Sequence, residues 1–230
     1  MKLVLFDIDG TLIDAAGAGR RAFNRALERL LGVVNPLDGV PLDGRTDTLI
    51  LHEVLARVGR LDVFQDIDLL RHLYGLYVQI LEEELAAAGD GDYRVLPGVY
   101  ELLEYLSASD RFLLGLATGN LVEGAWVKLR PGRLDRYFSF GGFGDGALSR
   151  TDVVRRAVEE GRRRVRPNEP LEPIVIGDTP LDVEHARKAG AKAIAVATGR
   201  YRFDELQRLG PDLVVESLSP IEPVLEFLEA

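Results

Sequence analysis

Short runs of consecutive apolar residues alternate with amphipathic stretches, and that rhythm limits the chain to few architectures. Lys2 to Ile8 reads KLVLFDI, Phe112 to Ala117 reads FLLGLA, Ile174 to Ile176 reads IVI, and Ala193 to Ala197 reads AIAVA. Leu213 to Val215 adds a further short run. Apolar residues at helical spacing lie between them, over Val99 to Leu106, Leu121 to Leu129, Asp152 to Arg163 and Leu181 to Ala189. Strands without polar alternation are buried on both faces, and helices between them return the chain for parallel pairing. The fold class is therefore α/β, a doubly wound, Rossmann-like parallel sheet. Pro180 suits the first turn of the helix after Asp178-Thr179, Gly190 suits its C-terminal cap, and Ser219-Pro220 opens a last helix.

Residues 15–91 break this rhythm. They hold three apolar stripes at helical spacing and no convincing strand: Ala22, Phe23, Ala26, Leu27, Leu30 and Leu31; then Leu49, Ile50, Val54, Leu55 and Val58; then Ile67, Leu70, Leu73, Tyr77, Ile80, Leu81 and Leu85. Gly17-Ala18-Gly19-Arg20 before the stripes reads as a hinge. The expected organisation is an α/β core over 1–14 and 92–230, with an all-α cap over 15–91 inserted after the first strand.

Net charge excludes several partners. With 37 acidic against 28 basic residues the formal charge is −9, a field that repels a phosphate-coated polymer, so no nucleic-acid partner is expected. The run Arg162 to Arg166 follows Glu159-Glu160 and reads as a solvated helix end. No cysteine is present, which removes thiol catalysis and cysteine-ligated metals. No stretch approaches the ~20 apolar residues that span a bilayer, and Leu3 to Phe6 is too short for a signal-peptide core. The expectation is a cytoplasmic monomer or homodimer with no membrane partner.

In an open parallel sheet, ligands bind beyond the carboxyl ends of the strands. The first apolar run ends in Asp7-Ile8-Asp9-Gly10-Thr11, the second in Ala117-Thr118-Gly119-Asn120, and a later one in Gly177-Asp178-Thr179-Pro180-Leu181-Asp182. Arg150 stands just ahead of the helix that precedes that last strand. Several carboxylates converging on one crevice need a cation, and oxygen donors without His or Cys point to Mg²⁺. As the chain leaves the strand, Asp7 and Asp9 separate, one toward metal and the other toward substrate. Gly10 permits a turn that aims amide N–H groups at an anion. A D-x-D-G tetrapeptide alone reads better as a solvated turn, so the weight rests on the three strand ends together.

FDIDGTLID, LLGLATGN and VIGDTPLD, in this order and with the helical insert after the first, resemble the motifs of the haloacid dehalogenase superfamily of phosphohydrolases. The insert's position resembles the phosphoglycolate phosphatase and β-phosphoglucomutase subgroup. The family usually has a lysine in its third motif. Here Arg150, 28 residues before Asp178, is the expected replacement, and Lys128, 50 residues before it and inside a helix, is too early. The resemblance implies an aspartyl-phosphate mechanism on a small organic phosphate monoester. Asp7 would be the nucleophile. Asp9, held protonated, would be the general acid and then the base. Thr118 would bind the phosphoryl group and Arg150 would offset its charge. Asp7, Asp9 (through its backbone carbonyl) and Asp178 would hold Mg²⁺, with Asp182 acting through water or orienting Arg150. Gly10, Gly119 and Asn120 would line the substrate. Leu42 to Leu49 resembles a cap segment of the β-phosphoglucomutase-like members, which implies that Arg45 reaches a substrate anion; pairing with Asp43 or Asp47 is the alternative. A phosphomutase is the enzymatic rival and a phospho-accepting signalling module the non-enzymatic one. Asp9 argues against halide chemistry, because the family's dehalogenases lack that second acid.

Overall fold

In the computed structural model, which describes residues 1–89 and 91–230, the four most apolar runs all become strands of one sheet. Strands β1 (Lys2–Phe6), β4 (Phe112–Ala117), β6 (Glu172–Gly177), β7 (Lys192–Val196) and β8 (Leu213–Val215), with a short β5 (Gly141–Gly142), pair in the order β5-β4-β1-β6-β7-β8. Every pairing is parallel, Leu5 lying between Gly115 and Val175. Leu3 and Leu5 join the apolar cluster of one face, while Val4 and Phe6 join that of the other. That split is the period-two alternation of a strand, and with both faces covered all four side chains are fully buried. β5 is two glycines and has no apolar run to announce it.

Helices α6 (Arg150–Arg162), α7 (Pro180–Lys188) and α8 (Phe203–Gln207) supply side chains to the first face, and α4 (Val99–Ser107) and α9 (Glu222–Glu229) to the second. Ser149 caps α6 and Thr179 caps α7 in a reciprocal capping box with Asp182. Pro180 takes the first helical position as expected, and Gly190 adopts φ 76 just past the end. The last helix starts at Glu222, with Pro223 in its first turn rather than Pro220.

Between β1 and β4 the chain builds α1 (Ala18–Leu31), α2 (Asp47–Arg57) and α3 (Ile67–Ala86), matching the three stripes. Of the segment read as a hinge, Gly17 is the left-handed N-cap of α1 and Ala18 to Arg20 are its first turn. A ribbon of β2 (Ile13–Asp14) and β3 (Arg94–Val95) joins the two crossings between sheet and helices, closed by an Asp14–Arg94 ion pair of 2.8 Å. Two-residue strands carry too little pattern to be read in advance. The helical insert is not loosely tethered. Its Phe23 and Tyr77 rings pack at 5.3 Å, a Cβ on Gly124 of α5 (Val122–Leu129) would come within 3.0 Å of Tyr77, and insert and sheet residues share one apolar cluster. Among the described residues no helix is long and apolar enough to cross a membrane.

Candidate active site

The carboxyl ends of β1, β4 and β6 open into one cavity of about 310 Å³, overhung by α1 and the loop before α2. Asp7, Asp9, Gly10, Thr118, Gly119, Asn120, Arg150, Asp178 and Arg45 all line it. Asp182 lies beneath, bonded to Arg150.

β1 stops at Phe6, and the Asp7 N–H still donates to Ile176 of β6 at 3.0 Å, which anchors the carboxylate at the strand end. Asp7, Asp178, Asp182 and Arg150 are each at most 5 % exposed. The Arg150 guanidinium lies 3.1 Å from Asp7 Oδ2 and also pairs with Asp182. Asp182 is otherwise committed to the N–H (3.0 Å) and hydroxyl (2.7 Å) of Thr179. Its two oxygens thus serve Arg150 and Thr179, and its carboxylate remains within the acidic group. One carboxylate oxygen from each of Asp7, Asp178 and Asp182 lies within 4.8 Å of the others.

Three buried carboxylates face a single buried guanidinium, and protonation responds. Burial, against Arg150 and with help from Asp182 and Asp9, pushes the Asp7 carboxyl up to about 6. Burial, with Asp182 and Asp7, pushes Asp178 well above the usual carboxylate range. Arg150 stays charged despite burial because Asp182 and Asp7 hold its protons. Surplus negative charge on oxygen donors alone is a setting that a hard divalent cation relieves, so these residues fit a metal.

Asp9 takes a different path from Asp7. Its carboxylate, 47 % exposed toward the cavity, accepts from Lys128 Nζ at 2.6 Å and from Asn120 Nδ2 at 2.8 Å. Burial acts to raise its pKa, but Lys128 and Asn120 outweigh that and hold it below the usual range. The expected protonated Asp9 is therefore corrected for this arrangement: it is a carboxylate, and its side chain stands apart from the acidic group. Lys128 also donates to Asn120 Oδ1 at 2.6 Å. Judged by spacing alone it was too early for the site. It arrives on a different acid from the one Arg150 serves, because a helical side chain leans toward its helix N-terminus and a four-carbon stem reaches about one turn along it.

Gly10 turns at φ 78, and a Cβ there would sit 2.4 Å from Asp178. Its own N–H donates to Ile13 O at 2.8 Å, and its lack of a side chain admits Asp178. Thr118 is fully buried, and its Oγ1 accepts from Asn120 Nδ2 at 2.8 Å. Gly119 makes room for the insert, since a Cβ would meet Arg45 O at 2.1 Å. The Arg45 guanidinium turns to Glu53 (2.7 Å) and Pro41 O (3.0 Å), and neither Asp43 nor Asp47 is its partner. Asp43 pairs with Arg200 at 2.8 Å, and Asp47 accepts from Leu121 N at 2.9 Å.

Residues 4–196 match the family described as haloacid dehalogenase-like hydrolase. Among curated relatives, a phosphoglycolate phosphatase of Nitrosospira multiformis is 29% identical over 95% of this chain and 92% of its own. One of Agrobacterium fabrum is 27% identical over 97% and 91%. A hydrolase from Pseudomonas syringae superposes with a TM-score of 0.67 at 23% identity, covering 98% of this chain and 99% of that one. The match spans the strand ends that carry Asp7, Thr118 and Asp178 and the insert that roofs them, and by it the chain belongs to the haloacid dehalogenase-like hydrolases, as an enzyme.

Proposed function

We propose that the protein is a Mg²⁺-dependent phosphatase that hydrolyses a small organic phosphate monoester, phosphoglycolate-like or a sugar phosphate, through an aspartyl-phosphate on Asp7. The observation that carries this reading is a buried carboxylate at the end of the central strand, beside one guanidinium and two more acids, facing a cavity with a second, separately held acid. The curated relatives named phosphoglycolate phosphatases support the substrate class.

Asp7 Oδ attacks phosphorus, and the bond from phosphorus to the ester oxygen breaks. The leaving oxygen takes a proton from Asp9. Water then attacks the phosphoryl group, gives its proton to Asp9, and inorganic phosphate leaves as the bond to Asp7 breaks. Asp9 begins as a carboxylate, which suits the second step. Entry of the anionic ester beside it, sharing Lys128, favours uptake of the proton that the first step needs. Arg150 offsets charge on Asp7 and the transferring group, and the Thr118 hydroxyl donates to a phosphoryl oxygen. Asp7 and Asp178 would hold the Mg²⁺, which when bound shields an anionic nucleophile from an anionic phosphate.

The test is phosphate release from a panel of monoesters by the purified protein. Turnover should require Mg²⁺ and disappear in excess chelator. Full activity in chelator, or no release from any ester with Mg²⁺ present, overturns the reading.

A further inference from the structure

Five cationic side chains line the cavity, and four already have a carboxylate. Arg45 pairs with Glu53 at 2.7 Å, Lys128 with Asp9 at 2.6 Å, Arg150 with Asp7 at 3.1 Å and Arg200 with Asp43 at 2.8 Å. Arg20 is the fifth. Among the described residues no carboxylate lies within 4 Å of it, and its one hydrogen bond is a 3.3 Å donation to Leu37 O. Its neighbours on α1 behave differently: Arg21 and Arg25 both pair with Glu84 of α3, at 2.7 Å each. Arg20 instead is exposed on the wall of the cavity and also borders a neighbouring hollow with Asn24, Asn35, Leu37 and Asp38, and its single bond to Leu37 O leaves most of its five donors uncommitted.

Position adds to this. Arg20 follows Gly19, where a Cβ would lie 2.9 Å from Lys128 Nζ, so the first turn of α1 sits directly over the Lys128–Asp9 pair. A cation in the first turn of a helix opposes the helix dipole. A local rule broken at a cavity wall is where function is expected to override stability.

We propose that Arg20 binds a carboxylate of the substrate, so that the preferred ester is a small phosphate monoester carrying a carboxylate rather than a neutral sugar phosphate. A planar guanidinium fork matches a planar carboxylate in two parallel hydrogen bonds, and a single positive charge matches its single negative one. This rests on the phosphatase reading above and names its substrate class.

The experiment compares kcat/KM for 2-phosphoglycolate and for sn-glycerol 3-phosphate in the wild-type protein, Arg20→Gln and Arg20→Lys. Wild type should favour 2-phosphoglycolate. Arg20→Gln should lower kcat/KM for that ester ~10-fold or more, through KM, and lower it several-fold less for glycerol 3-phosphate. Arg20→Lys should recover part of the loss. Equal losses on both esters, no loss on either, or a wild-type preference for glycerol 3-phosphate overturns the proposal while leaving the phosphatase reading intact. No phosphate from any ester sinks that reading, and this inference with it.

Discussion

Asp7 and Asp9 stand two residues apart, yet burial dominates one and a lysine the other. Asp7 is enclosed and pushed up to about 6, and Asp9 is held ionised by Lys128 and Asn120. Two carboxylates driven in opposite directions suit two separate roles. Asp9→Asn keeps the shape and removes the proton carrier, so kcat should fall by ~10²–10⁴-fold. Lys128→Met should cost ~10-fold or more in kcat/KM, because a charged hydrogen bond to Asp9 is lost. Steady-state rates at saturating Mg²⁺ check both, and wild-type rates in either variant contradict the assigned roles. The acids were legible in the sequence because three motifs ended where strands ended. Lys128 was not, because chain spacing says nothing about where a long side chain on a helix reaches. Arg45 is a different case: its motif was visible and it lines the cavity, but its partner Glu53 on α2 could not be read from the motif.

At the scale of elements, the loop into α2 is what fastens the helical insert to the sheet. Three consecutive side chains bond core loops: Thr46 Oγ1 donates to Ala147 O at 2.6 Å, Asp47 accepts from Leu121 N at 2.9 Å, and Thr48 Oγ1 donates to Gly144 O at 2.6 Å. Thr46 also caps α2 by accepting from Leu49 N. Thr46→Val keeps the volume but removes both bonds and leaves Ala147 O unpartnered. It should lower unfolding free energy by about 1–3 kcal/mol, read by chemical denaturation. A change near zero would mean that this contact does not hold the insert. The helices themselves were readable from their stripes. Their docking was not, since Thr-Asp-Thr is ordinary capping chemistry until a second surface meets it. The same holds for β5 and the β2–β3 ribbon, whose two-residue strands depend on neighbours far along the chain.

For the whole molecule, the strand ends that create the site also load it with charge. Asp7 and Asp47 are both raised from 3.8 to about 6, in each case first by burial. A raised carboxyl contributes stability that is fully present below its unfolded value and is lost as pH rises through its folded value. The metal-free protein should therefore lose this contribution across the window from 3.8 to about 6. A cation on Asp7 and Asp178 needs the ionised forms, so stabilisation by Mg²⁺ should grow through the same window. The measurement is the Tm difference between Mg²⁺ and chelator, which cancels the other carboxylates. It should be larger at about pH 7.5 than at about pH 5, and an equal or reversed difference contradicts a metal on these acids.

The central claim is that Asp7 becomes covalently phosphorylated, and acid quench during turnover of a radiolabelled phosphate ester tests it most directly. Peptide mapping should place a hydroxylamine-labile phosphoryl group on the segment containing Asp7, with none in Asp7→Asn. Steady turnover with no protein-bound phosphoryl group in the quench, or label on any residue but Asp7, contradicts the account.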